Sequence, residues 1–422
     1  MKGAAMKINT KLKTLCFLVV AGLFLVQDKL QDWYTPFQYF DEAFGLLLFP
    51  MLLIRWRQKR LTIPTDRESL LFYIGLLSFW IFGWASHFVY QYQPLTNALK
   101  DFYVNNKFFL ALGASFLFFD DLQLDFQQMK KSIWPVLNVT VLVLFALCVI
   151  DLLFDTFSTD TRGPFRAVKL FYSAQTFLVS ACVFLSAICL WYYEDKKKKI
   201  LLPVILLCVI MFCTIRVKTM GAIAAVCLIY LFVLRGLKFR SISRRMKIIL
   251  GSFLTFAAVA IIYQVVDYYI LMGTGSARAM MTLASPFVAW DHFPFGSGWA
   301  TFGSAFSAEP YSPVYGMYRM AGIWGISPDY PAFMADVYWP MLLAQTGFFG
   351  FAGFLLALWI FVKKVCRMKD RPVSFASGLL ILLYLLISST SESALANPIA
   401  IPLAFWLGLV VAEYRSGKEK QA

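Results

Sequence analysis

About twelve long apolar runs, separated by short charged stretches, constrain this chain more than anything else in it. They lie at 14–27, 37–54, 70–90, 103–119, 133–153, 170–193, 200–215, 219–234, 248–270, 340–362, 373–390 and 397–413. A hydrocarbon core of about 30 Å takes roughly 20 apolar residues per helix, so each run is long enough, or nearly so, to cross a bilayer. The composition fits: 60% of the 422 residues are hydrophobic and only 15% charged, against roughly 45–50% apolar in a soluble domain. The expected fold is all-α, a polytopic integral membrane protein of about 12 transmembrane helices with one large external loop. Three regions follow: 1–270 with spans 1–9, the loop at 271–339, and 340–422 with spans 10–12 and a cytoplasmic tail.

The net charge is +15, but the cations sit between apolar runs, where they act as topology signals and not as a nucleic-acid surface. Loops on the side of the amino terminus hold 29 of the 39 Lys and Arg, and the opposite side holds ten. The positive-inside rule therefore puts both termini in the cytoplasm. Eight cysteines lie in or beside apolar runs with no CxxC spacing, and His87 and His292 are the sole histidines. That excludes a disulfide framework and a histidine-built metal site as expectations. The first run resembles a signal peptide, but no small-residue cleavage site follows it, so it is expected to remain as a span.

Between Lys199 and Arg235 the sole charged residues are Arg216 and Lys218. One helix of that length would measure about 52 Å, too long for a single crossing. Two helices of about 17 residues fit, placing Arg216 and Lys218 at the tip of a tight external hairpin. Basic residues outside work against the topology rule, so another requirement retains them.

The segment 271–339 is rich in Gly, Pro and aromatic residues, and a connection this long is more often functional than passive. Its mixture predicts one or two short amphipathic helices against the membrane, broken at Pro286 and Pro294. In "FGSGWATFG", Gly296, Gly298 and Gly303 mark places where backbone turns or comes close to a ligand.

Arg offers a planar fork for phosphate oxygens and Lys a point charge. Arg216, Lys218 and Arg278 at an outer membrane face point to a lipid-borne diphosphate, whose departure in glycosyl transfer builds negative charge that preplaced cations stabilise without a metal or cofactor. Arg166 and Arg319 are expected to hold phosphate or sugar. An acceptor hydroxyl needs a general base. The loop carboxylates are Asp291, Glu309, Asp329 and Asp336; Asp336, just before the tenth span, is the expected base, with a helix N-cap as its alternative role. Asp291 joins the substrate-binding set, and Glu392 is a spare acid. Trp299, Phe302, Tyr311 and Tyr315 are candidates to stack on sugar rings, or to face lipid.

Taken together, "TIRVKTMGAIAAV", Arg278 ahead of "FPFGSGWATFGS", "YSPVYGMYRMAGI" and "SPDYPAFMADVYWPMLLAQTGFFGFAGF" resemble the O-antigen ligase and polysaccharide repeat-unit polymerase superfamily (Wzy-type). The closest likeness is to Gram-positive capsular or exopolysaccharide polymerases. The resemblance implies joining of oligosaccharide repeats carried on undecaprenyl diphosphate at the outer face of a bacterial plasma membrane, alongside a chain-length regulator and a flippase. Arg216 and Arg278 match the family's arginines at the outer end of a central span and early in the large loop. "RAVKLFYSAQTF" resembles another family run, with Arg166 as its cation and Ala174 and Gln175 in place of the expected Pro-Asn. Ligases carry a histidine before the returning span, and here 300–350 has none. The rival expectations are a ligase acting on another acceptor and a lipid-linked oligosaccharide flippase.

Overall fold

The computed structural model describes residues 10–58, 65–121, 124–157, 159–162, 164–197, 199–237 and 266–420, with isolated positions between 243 and 263. Helices carry most of it. They are α1 (Thr10–Trp33), α2 (Phe40–Leu46), α3 (Leu48–Arg57), α4 (Arg67–Tyr90), α5 (Leu95–Phe119), α6 (Phe126–Phe154) and α7 (Gln175–Trp191). There follow α8 (Leu201–Cys213), α9 (Val217–Leu228, continuing as a π-helix to Leu234), α10 (Ala277–Asp291), α11 (Tyr338–Cys366), α12 (Pro372–Ser388) and α13 (Ala400–Glu419). The strands among the described residues are Thr161–Arg162 and Phe165–Arg166, a two-residue antiparallel pair.

Seven helical segments are long and apolar enough to cross a membrane, and three more apolar helices, α7, α8 and α12, are shorter. The protein is a multi-pass, all-α membrane protein. Eleven of the apolar runs fall on described residues and are helical over most of their length; the run at 248–270 is described only in part.

Small residues and buried charge hold the bundle together. α4 packs along α11 with Gly75 against Gly353, where a Cβ on Gly75 would sit 2.5 Å from the Gly353 carbonyl oxygen. α13 lies on α5 in the same manner, Gly408 against Ser115. Between α2 and α5, the Lys107 ammonium lies 2.6 Å from Asp41 and 3.3 Å from Glu42, and Gln27 donates to Asp41 at 3.0 Å. Lys107 and Asp41 are almost fully buried, so each charge is tolerable in the bilayer because the other is beside it.

The stretch 277–337 docks on the ends of α4, α5 and α11. α10 runs without interruption through Pro286, where a break was expected. A proline at 286 deprives the Thr282 carbonyl of its helical N–H, and the Ser285 hydroxyl donates to that carbonyl at 3.1 Å instead. α11 breaks at Gly347 (φ 65°, ψ −175°). The Ala344 and Gln345 carbonyls near this break accept from the N–H groups of Ser297 and Gly298 at 2.8 and 2.9 Å. Gly296 (φ 86°) comes so close to the break that a Cβ there would lie 2.3 Å from the Gly347 nitrogen. The "FGSG" glycines thus serve backbone-to-backbone packing, and no ligand is needed to explain them.

Candidate functional site

α8 ends at Cys213 and α9 starts at Val217, so the expected hairpin exists and its turn is three residues long. Ile215 takes a left-handed φ of 49° to make the reversal. The Cys213 carbonyl accepts from the N–H of Val168 at 3.0 Å, which ties the turn to the chain ahead of α7. Arg216 is the N-cap residue of α9 and donates to Gln175 Oε1 at 2.9 Å. Gln175 in turn donates to Asp160 at 3.0 Å, and Asp160 pairs with Lys169 at 3.2 Å.

Lys218, in the first turn of α9, pairs with Glu392 Oε1 at 2.6 Å, and both side chains are only 11–12% exposed. Glu392 lies on the connection between α12 and α13. Its neighbour Ser393 donates to the Ala335 carbonyl at 3.0 Å, fixing that connection beside Asp336. Asp336 accepts from Arg278 at 2.8 Å, with side chains 27% and 22% exposed, so this pair remains open to solvent. Asp336 is not an N-cap: Val337 occupies that position of α11, and no side-chain cap is made.

Arg216 is two residues from Lys218, and the Ser393–Ala335 bond sets the Lys218–Glu392 pair beside the stretch that carries Asp336 and its partner Arg278. Arg216, Lys218, Arg278, Glu392 and Asp336, drawn from the α8–α9 turn, the start of α10, the residues before α11 and the α12–α13 connection, are therefore brought together at one place. Arg216 and Lys218 stand at the N-terminus of α9 and Arg278 at that of α10, and neither first turn has an acidic residue. A helix N-terminus already carries about half a positive charge and prefers acids. Cations placed at two of them lower stability in isolation and add to an anion-binding field. A guanidinium has five N–H donors, so one carboxylate contact does not exhaust its capacity for phosphate.

Other expected site residues lie elsewhere. Arg166 pairs with Asp155 and donates to the Asp151 and Leu152 carbonyls at 2.9 and 3.3 Å, closing the C-terminus of α6 as a basic residue does. Arg319 is exposed, with φ 55° and no ion pair among the described residues. Asp291 accepts from the Tyr318 hydroxyl at 2.7 Å; burial first and the Asp291 carboxylate second push that phenol up, so it remains a donor. Tyr315 is fully buried, its hydroxyl accepting from Gly303 N–H at 2.9 Å, and its ring stacks on Phe302. Trp299 and Phe302 are likewise fully buried. Phe302 and Tyr315 belong to the core of the segment, Trp299 packs on Phe79 and Phe102 of the bundle, and none of the three presents a face to a sugar.

Three residues that matter were missed or undervalued. Gln175 counted as a departure from a pattern, yet it is the partner of Arg216; Glu392 counted as a spare acid, yet it neutralises Lys218. Asp101 was not noticed. It is fully buried on α5, accepting from Ala300 N–H at 2.7 Å and from the Ser304 hydroxyl, and so anchors the 297–304 turn. No family model matches the chain, and no curated protein matches its sequence. The exposed face of α10, with Leu283, Phe287 and Trp290 each more than half exposed, turns its apolar side outward, as an interfacial helix does toward lipid.

Proposed function

We propose that the protein is a membrane glycosyltransferase that polymerises undecaprenyl-diphosphate-linked oligosaccharide repeat units into capsular or exopolysaccharide. It works at the outer face of a bacterial plasma membrane, with about twelve spans and both termini in the cytoplasm. The observation that carries this reading is the convergence of Arg216, Lys218 and Arg278, from two helix N-termini, beside the carboxylate of Asp336.

Arg216, Lys218 and Arg278 hold the donor diphosphate and stabilise the charge that develops as it leaves. Asp336, paired with Arg278, takes the proton from the acceptor hydroxyl. Attack from the face opposite the diphosphate inverts the anomeric carbon. Gln175 orients Arg216, and Glu392 orients Lys218. The partly exposed Arg278–Asp336 pair is the side from which substrate enters, since Lys218 and Glu392 are shielded.

Purified protein supplied with undecaprenyl-diphosphate-linked repeats and no added metal should form a ladder of polymer. Arg216→Ala and Arg278→Ala should each reduce its rate about 100-fold or more, the scale of losing one preplaced charge-stabilising donor. Transfer to a different acceptor without a ladder would point to a ligase. Passage of unchanged substrate across a vesicle would point to a flippase. Unchanged ladders in both variants would remove the diphosphate grip.

A further inference from the structure

A cavity of about 140 Å³ opens between the last turns of α1, the chain at 172–177 and residues 398–402. It is close in size to the roughly 150 Å³ engineered cavity that accepts a benzene ring, so one six-membered ring fits. Unlike that dry cavity, one side of it is polar, with Gln27, Asp28, Gln31, Gln38 and Ser173, while Phe24, Phe177, Phe184 and Pro398 make much of the rest and the Tyr172 ring stands between. Asp28 is 7% exposed. Its carboxylate accepts from Gln31 at 2.8 Å and from Ser173 N–H at 2.5 Å. No basic side chain lines the cavity. A carboxylate offers about four lone-pair positions, and a buried charge without a cation is costly unless donors surround it.

Neighbouring hydroxyls on a ring supply such donors, and an aromatic wall suits the C–H face of the same ring. The position is as informative as the chemistry. Ser173, which binds Asp28, is two residues from Gln175, which binds Arg216. At 3.8 Å between successive Cα atoms, those two backbones are at most about 8 Å apart. The wall of the cavity at Ser173 is therefore two residues along the chain from the partner that holds Arg216.

We infer that this cavity is a subsite for a single sugar ring, with Asp28, Gln27, Gln31 and Gln38 selecting the pattern of hydroxyls. The inference rests on the carbohydrate reading above and adds the place where one ring of the chain is read. It makes the end of α1, to which the sequence assigned no ligand role, a determinant of sugar specificity.

The test is saturation-transfer NMR on the full-length protein in nanodiscs with free glucose, galactose, mannose, N-acetylglucosamine and N-acetylgalactosamine, none carrying a diphosphate. At least one sugar should bind wild type, and Gln31→Ala should weaken it about tenfold, the scale of one hydrogen bond to a charged group and its network. Gln38 is exposed, so Gln38→Ala keeps the fold intact and should also weaken binding. Arg216→Ala should leave binding unchanged. No binding by any of the five sugars, binding unaffected by both glutamine variants, or loss in Arg216→Ala would overturn the assignment. Sugar binding without ladder formation would remove the polymerase reading and leave the subsite standing; ladders without sugar binding would do the reverse.

Discussion

Ile215 is a β-branched residue held at φ 49° between Thr214 and Arg216, in the left-handed region that costs an ordinary side chain about 1–2 kcal/mol. Asn tolerates that conformation far better, so Ile215→Asn should unfold at no lower temperature than wild type despite losing apolar contact. A clear drop in thermal midpoint would show that the turn is not strained. Asp336→Asn should leave carrier binding intact while slowing turnover about 100-fold, the scale of a lost general base; full turnover would return Asp336 to a purely structural role. Arg216, Arg278 and Asp336 were legible because a charge kept inside or beside apolar sequence needs a reason. Gln175, the first residue of α7, and Glu392, on the α12–α13 connection, were not, because neither has a local signature for its partner, which for Gln175 lies 41 residues away. Tyr315 was misread for a related reason: an aromatic in a loop-like sequence looks available, and only the packing of Phe302 and Gly303 around it shows that it is core.

The helices of the bundle were readable from apolar runs, but their interruptions were not. Proline 286 breaks nothing because Ser285 supplies the missing donor, whereas α11 breaks at Gly347 because the turn at 296–298 offers replacement bonds from about fifty residues away. Gly296→Ala should therefore lower stability by about 1–3 kcal/mol, since its Cβ would collide with Gly347 backbone. Pro286→Ala should change it little. Comparing their thermal midpoints in one detergent checks both. The buried cluster of α2 and α5 gives a sharper expectation. Lys107→Ala strands Asp41 and Glu42 without their cation and should cost about 3–5 kcal/mol, visible as loss of folded protein on size exclusion. Survival of Lys107→Ala at wild-type stability would mean that the carboxylates are neutral in the bilayer without it.

Across the whole molecule, the cluster exists only because four distant parts of the chain meet at one end of the bundle. The α8–α9 turn, the start of α10, the residues before α11 and the α12–α13 connection are joined by Lys218–Glu392, Ser393–Ala335 and Arg278–Asp336. Charge distribution along the sequence placed these segments on a common side, which is as far as a one-dimensional signal reaches; which cation meets which acid is set by packing. The measurement that bears most directly on the central claim is the affinity of the purified protein for undecaprenyl diphosphate, compared among wild type, Arg216→Ala and Arg278→Ala. Tight binding by wild type, weakened about tenfold or more in each variant as a charge-assisted phosphate contact is lost, is the expected result. Equal affinity in all three proteins would contradict it.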